Sequence, residues 1–327
     1  MRCNSNHVII WGAAILIVAA LLLSCGNGSR DSGKSASGEL SGTIRVSGAW
    51  ALYPMMVRWG EEFSKIHKGV RVDISAGGAG KGVSDALGNL VDIGMVSREI
   101  WPEEIERGGF YVPVAKDAVF PTVNAKNAVF NSTLARTGVK KQILIDLWIN
   151  GKSLTWGDIA GTTSEAVVNV YTRSDSCGAA ETWAKYLGKN QEDLVGTGVY
   201  GDPGVAEAVK QDILAIGFNN LNFAYDPTTG LPVSGIRVLP IDINENGVVD
   251  PDEDLTTKEK AITAVVSGVY PSPPARKLYL LTKNEFKGTT KEFIKWILTD
   301  GQAFLSEVGY IQLADNDIQD ALAKVGG

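Results

Sequence analysis

Three small-residue turns, each placed directly after a strand-like run, constrain this chain more than any other feature. Thr43–Ser47 (TIRVS) enters SGAWALYP (47–54), Val70, Val72 and Ile74 run into SAGGAGKG (75–82), and Val168–Thr172 (VNVYT) runs into YTRSDSCGAAETW (171–183). Side chains alternate across a strand but recur every three or four residues along a helix, so alternation followed by helical spacing marks a strand–turn–helix unit. After the first turn Leu52, Met56, Trp59, Phe63 and Ile66 recur at spacings of 4, 3, 4 and 3. VDIGMVS (91–97), AIGF (215–218) and RKLYLLT (276–282) read as further strands, and 179–187, 205–210 and 290–306 as helices. Phe293, Trp296, Ile297 and Phe304 mark the apolar face of the last helix, and Thr289 and Glu292 have capping-box spacing at its start. Such alternation predicts an α/β protein with a parallel sheet, and 327 residues are enough for two domains.

Composition narrows the chemistry. The chain is 44% hydrophobic, so it can build real cores, and its net charge of −6 argues against nucleic acid as a partner. It has two histidines, His7, in a segment that reads as a targeting sequence, and His67, which excludes a histidine-cluster metal site and leaves any nucleophilic triad His67 as its single base.

Residues 1–24 read as a signal peptide: Arg2 precedes an apolar run from Val8 to Leu23, too short for a comfortable membrane span. The run ends in Leu22-Leu23-Ser24-Cys25, which resembles a bacterial lipobox, with Cys25 as the lipidated first residue of an exported protein anchored to the cell membrane and facing the periplasm or the cell exterior. Residues 25–42 are rich in Gly and Ser and read as a flexible tether. The exported domain then keeps one free thiol, Cys177, and no internal disulfide.

The three turns share a chemistry. Each follows a strand and opens a helix, where unpaired amides and the helix dipole attract anions. Arg173 beside the third turn adds a guanidinium suited to a tetrahedral oxyanion. One glycine turn alone is a common tight turn; three in this order point to an anion site.

Together with VDIGMVSRE (91–99), LWINGKSLTWGDI (147–159), RSDSCGAAETWAKYL (173–187), YPSPPARKLYLLTK (270–283) and WILTDGQAFLSEVGYIQL (296–313), these turns make the chain resemble the PstS-like phosphate-binding lipoproteins of ABC importers over roughly 43–327. The resemblance implies a two-lobed periplasmic-binding-protein type II fold with the ligand cleft between the lobes. Lobe one would hold 43–115 and 225–327, and lobe two 116–224. It implies capture of inorganic phosphate and delivery to an ABC permease. The family's first-loop donors fall at Ala51, Leu52 and Tyr53, its second-loop serine near Gly78 and Ala79, and its third loop at Arg173, Cys177, Gly178 and Ala179. Two of the family's hydroxyls in the third loop are therefore replaced here by a thiol and a methyl group. The family's acidic acceptor aligns with Ser97, followed by Arg98 and Glu99; Asp175 or Glu99 stands as a substitute acceptor. A serine both donates and accepts, so it separates protonated phosphate from sulfate, molybdate or tungstate less sharply than a carboxylate does.

Outside the resemblance, DINENGVVDPDE (242–253) fits the twelve-residue calcium-loop pattern D-x-[DN]-x-[DN]-G-x5-E. Asp242, Asn244, Asn246, Val248 through its carbonyl, Asp250 and Glu253 are the expected calcium ligands, in a structural role. The preceding IRVLPI (236–241) reads as a strand, so the entering helix of an EF-hand is missing.

Two other classes compete with a binding protein: a thiol enzyme using Cys177, and a calcium-dependent surface receptor. A thiol nucleophile needs a base, and His67 in IHKG reads as a solvated helix end. The expectation is therefore a protein that catalyses nothing.

Overall fold

The computed structural model describes residues 39–326. The expected leader 1–24, the lipidation residue Cys25 and the tether up to residue 38 lie outside the described residues. Among the described residues, no helix is long and apolar enough to cross a membrane.

The described residues form nine strands in chain order: β1 (Ser41–Gly48), β2 (Gly69–Ala76), β3 (Ile93–Val96), β4 (Gly109–Asn124), β5 (Asn169–Arg173), β6 (Thr197–Val199), β7 (Ala215–Asn220), β8 (Ile236–Val238) and β9 (Ala275–Lys283). They are ordered β2-β1-β3-β9-β4-β7-β5-β6, with β8 paired to β4. β1 runs parallel to β2 and β3, and β5 runs parallel to β6 and β7. Helical crossovers produce these parallel pairs. The sheet is nevertheless mixed rather than parallel throughout. β9 runs antiparallel to β3 and β4, and β4 is antiparallel to β7 and β8.

Among the described residues the core comprises two large clusters and a small third one of Val205, Val209, Ala215 and Ile236. The first cluster gathers β1–β3, the helix Tyr53–Ile66, the start of β4, β9 and the C-terminal helices, and includes Ile44, Trp59, Phe63, Leu280 and Phe293. The second includes Phe120, Trp148, Trp183, Phe218 and Tyr225. Residues 225–275, expected with lobe one, instead bury Tyr225, Leu239, Ile241, Leu255, Ala261 and Tyr270 in the second cluster. The physical reason lies in β4: Thr122–Asn124 takes β8 as a partner and holds the segment on the second half. The 16-residue β4 belongs to both halves, with Ala115 in the first core and Ala118 in the second.

The helix Tyr53–Ile66 buries Met55, Met56, Trp59 and Phe63 against the first core. Each such side chain contributes about 2 kcal/mol by leaving water, so the apolar face holds the helix in place. Ile66, counted on that face, is the helix's last residue and is 59% exposed. The helix expected over 290–306 is also shorter, Gly288–Leu298, and Lys287 rather than Thr289 occupies its N-cap. The Thr289 hydroxyl donates instead to the Ser41 carbonyl at 3.0 Å.

Candidate functional site

The second half presents the third turn on a rigid mount. In the helix Gly178–Tyr186, Trp183 stacks on Phe218 at 5.7 Å and meets Trp148 edge-on at 5.4 Å. This anchoring fixes where the helix begins. Cys177 is the N-cap, and its Sγ accepts from the Ala180 amide at 3.5 Å, a weaker cap than a hydroxyl. The first helical backbone bond runs from Glu181 to the Cys177 carbonyl. The amides of Gly178 and Ala179 therefore belong to the helix's unpaired N-terminal donors.

Arg173 ends β5 with its side chain only 1% exposed. Its Nε and Nη2 donate to Asp175 at 2.8 and 2.6 Å, and its Nη1 donates to Asp202 at 2.5 Å. Burial by itself would lower the Arg173 pKa, but the carboxylates of Asp202 and Asp175 more than offset it and keep the guanidinium charged. The Cys177 thiol is pushed up to about 12 by burial, against the attraction of Arg173. A thiol held protonated in this way is a poor nucleophile.

The first half supplies two more turns. Leu52 and Tyr53, the aligned donors of the first turn, already give their amides to the carbonyls of Ala49 and Trp50. This corrects the alignment by two residues: in the short turn Trp50–Leu52 the unpaired N-terminal amides are those of Trp50 and Ala51. Gly78 caps the helix Ala79–Leu87 with φ at +89°, a backbone conformation that a side chain disfavours. Its neighbour Gly80 sends its amide across to the Ser176 carbonyl at 3.4 Å.

The two faces touch. A β-carbon on Gly178 would overlap the carbonyl oxygen and Oγ of Ser97. One on Gly78 would come within 2.6 Å of the Ser176 carbonyl and 3.0 Å of Asp175 Oδ2. Trp50 packs edge-on to Tyr200 at 6.4 Å. Ala79, Ser97, Cys177 and Ala179 are all buried in this contact zone.

Arg98 does not join them. Both its terminal nitrogens donate to Glu104, at 2.9 and 2.6 Å, and its guanidinium lies 3.8 Å over the Trp101 ring. Neither substitute acceptor is free: Asp175 accepts from Arg173 and the Gly201 amide, while Glu99 accepts from the Tyr279 hydroxyl at 3.2 Å. Ser97 therefore remains the aligned acceptor.

Several polar residues escaped the sequence reading. Arg276, at the start of β9, donates through Nε to the Ser97 carbonyl at 2.6 Å and through Nη2 to Asn220, and it faces Asp117 at 3.4 Å. Its Nη1 is buried and has no partner among the described residues. Asp202 ties the cluster together, accepting from Arg173 and from both the backbone and side chain of Asn220. These residues lie far apart in sequence, and only the cleft brings them together. The one sequence signal was the Arg inside YPSPPARKLYLLTK. Beside the site a cavity of about 550 Å³ is lined by Glu99, Lys116, Thr182, Arg276 and Tyr279, among others.

The arrangement is therefore two α/β halves around a cleft, with three helical N-termini and two buried guanidiniums at the contact. Residues 33–301 match the family model PBP_like_2, a PBP superfamily domain, and the chain belongs to that superfamily. Within it, the chain is 25% identical over 332 residues to the phosphate-binding protein PstS of Bacillus subtilis, covering 99% of each sequence. It is 24% identical to PstS of Methanocaldococcus jannaschii over 97% of this chain and 93% of that one. It also superposes, with a TM-score of 0.67 and 21% identity, on a phosphate-bound structure from Clostridium perfringens described as a putative phosphate ABC transporter substrate-binding protein. That match covers 84% of this chain and all of the other.

Proposed function

We propose that the chain is an extracytoplasmic solute-binding protein that captures inorganic phosphate between its lobes and delivers it to an ABC permease. The observation that carries this reading is the convergence at one contact of the amide-bearing turns at Ala51, Ala79 and Gly178–Ala179 with Arg173 and Arg276. Backbone amides and a guanidinium with an unused buried donor suit a tetrahedral oxyanion. An anion bridging both faces stabilises the closed form, because only that form gives it donors from both halves.

Catalysis is no part of this reading. His67 lies at the far end of the helix that starts at Tyr53, its ring 4.5 Å from that of Phe63. Fourteen residues at about 1.5 Å each separate it from the cleft by roughly 20 Å. The chain is further proposed to be exported by its leader and held at the membrane through lipid on Cys25, so that labelling by a fatty-acid precursor is expected in the wild type and absent in Cys25→Ala.

A second oxyanion remains a specific alternative, because Asp175 and Glu99 are both engaged and Ser97 accepts and donates alike. Titration calorimetry with phosphate, sulfate, molybdate and tungstate tests both readings. Phosphate is expected to bind, and Arg173→Lys to weaken it more than about tenfold, because a point charge does not replace the fork geometry. Heat with sulfate but not phosphate would move the assignment to the alternative. Absence of binding by every oxyanion would overturn the reading altogether.

A further inference from the structure

The loop 242–253 takes no part in the anion contact, yet its interior is built. Asp242 and Glu253 are 2% and 4% exposed. Buried carboxylates normally keep a cationic partner or a metal. Among the described residues, no Lys or Arg forms an ion pair with Asp242, Asp250 or Glu253; the nearby pairs Lys140–Glu245 and Lys260–Asp254 involve only positions outside the expected ligand set.

One oxygen is decisive. Asp242 Oδ2 accepts from the Gly247 amide at 2.9 Å, across the loop, so the carboxylate faces the loop interior. Its Oδ1 is buried there and has no partner among the described residues. An unpaired buried carboxylate oxygen costs free energy unless something electropositive meets it.

The other donors surround the same space. Glu253 folds back, accepting from the amides of Ile243 at 2.8 Å and Asp250 at 3.3 Å, which brings position twelve of the loop beside position two. Asn244 and Asn246 both donate their side-chain amides across the loop to Asp250 Oδ2. Each amide oxygen accepts one backbone N–H and keeps a second lone pair. Gly247, with φ at +81° and open space where a side chain would stand, makes the turn at position six. Two amides and a carbonyl complete the set, so no three acidic side chains need to converge; among the described residues none do.

We infer that 242–253 binds one calcium ion. Asp242 Oδ1, the Asn244 and Asn246 side-chain oxygens and the Val248 carbonyl are its ligands, together with Asp250 through water and Glu253 through both oxygens. The donor set is all oxygen, with two neutral amides and a backbone carbonyl beside the carboxylates, which suits calcium better than the smaller, strictly octahedral magnesium. The ion pins the loop to the second core. Val249 donates to the Arg136 carbonyl at 2.7 Å and Asp242 to that of Val139 at 3.0 Å, next to the helix Lys141–Trp148.

The test is calcium calorimetry on full-length protein stripped with chelator, repeated with magnesium, alongside thermal melts. One equivalent is expected to bind with a Kd between about 10⁻⁶ and 10⁻³ M. Magnesium is expected to bind at least about tenfold more weakly, and Glu253→Gln to weaken calcium by at least about tenfold. Calcium should raise the melting temperature of the wild type and not of the variant. A cooperative thermal transition in the metal-free samples reports whether each variant is folded. Should Glu253→Gln fail to fold, Asp250→Ala, at a partly exposed position, takes its place with the same expected direction. Absence of any calcium response in the wild type, or equal calcium affinity in the folded variant, overturns the inference.

Discussion

Gly178 packs against Ser97 with no room for a side chain: a β-carbon there would overlap both the carbonyl oxygen and Oγ of the serine. One residue carries a helix N-terminus from the second half and the other directly follows β3 of the first. Their contact is therefore a direct measure of closure. Gly178→Ala is expected to hold the halves apart and to weaken phosphate binding by about 1–3 kcal/mol, or roughly 5- to 150-fold, while leaving the melting temperature of the free protein little changed. Calorimetry and a thermal melt on the same sample read the two effects separately. Unaltered affinity would mean that the ligand is bound without this contact.

Cys177 is expected to be inert. Burial pushes its thiol up to about 12, so at pH 8 only about one molecule in 10⁴ carries a thiolate. Iodoacetamide at that pH should leave residue 177 unmodified in the folded protein and modify it fully in denaturant, as read peptide by peptide in a mass spectrometer. Rapid labelling in the native state would revive the thiol-enzyme reading.

Asp117 gives the protein a distinctive acid response. Burial raises its pKa from 3.8 to about 6, although Arg276 opposes the shift. A carboxyl group whose folded pKa is raised contributes stability that is fully present below the unfolded value and is lost as pH rises through the folded one. Between about pH 4 and 6 its contribution therefore falls, by about 3 kcal/mol in total. Asp117→Asn should remove that slope. Melting curves of both proteins across this interval give the difference; parallel curves would refute the assignment.

Arg98 should be dispensable for the anion and important for the fold. It is clamped by Glu104 with both side chains buried, so Arg98→Met strands a carboxylate and is expected to cost about 3–5 kcal/mol of stability. Adding Glu104→Gln should recover part of the loss. Phosphate affinity is expected to be unchanged in the double variant, and a large drop would place Arg98 in the site after all.

How much of this was legible beforehand depended on the range of the signal. Alternation at Val70, Val72 and Ile74, and helical spacing from Met56 to Phe63, are local patterns, and the structure has β2 and the helix Tyr53–Ile66 there. The amide turns were readable for the same reason, since a turn and the helix it opens are contiguous. The alignment could not tell that the tight turn at Trp50 uses up the amides of Leu52 and Tyr53, because that depends on a hydrogen bond rather than on residue type. Arg276, Asp117 and Asp202 were invisible as a group: 159 positions separate the first pair, and their meeting is a product of strand order. The segment 225–275 was misplaced because the sequence does not say that β8 takes the far end of β4 as its partner.

β4 also bears on how the protein comes apart. Its first part, from Gly109 to Ala118, is hydrogen-bonded to β9, and its last part, from Val119 to Asn124, to β7 and β8. Neither half can melt without stripping backbone partners from a strand that the other half still needs. Heat or denaturant should therefore find one transition rather than two, and a lesion deep in either core should lower the cooperative stability of the whole.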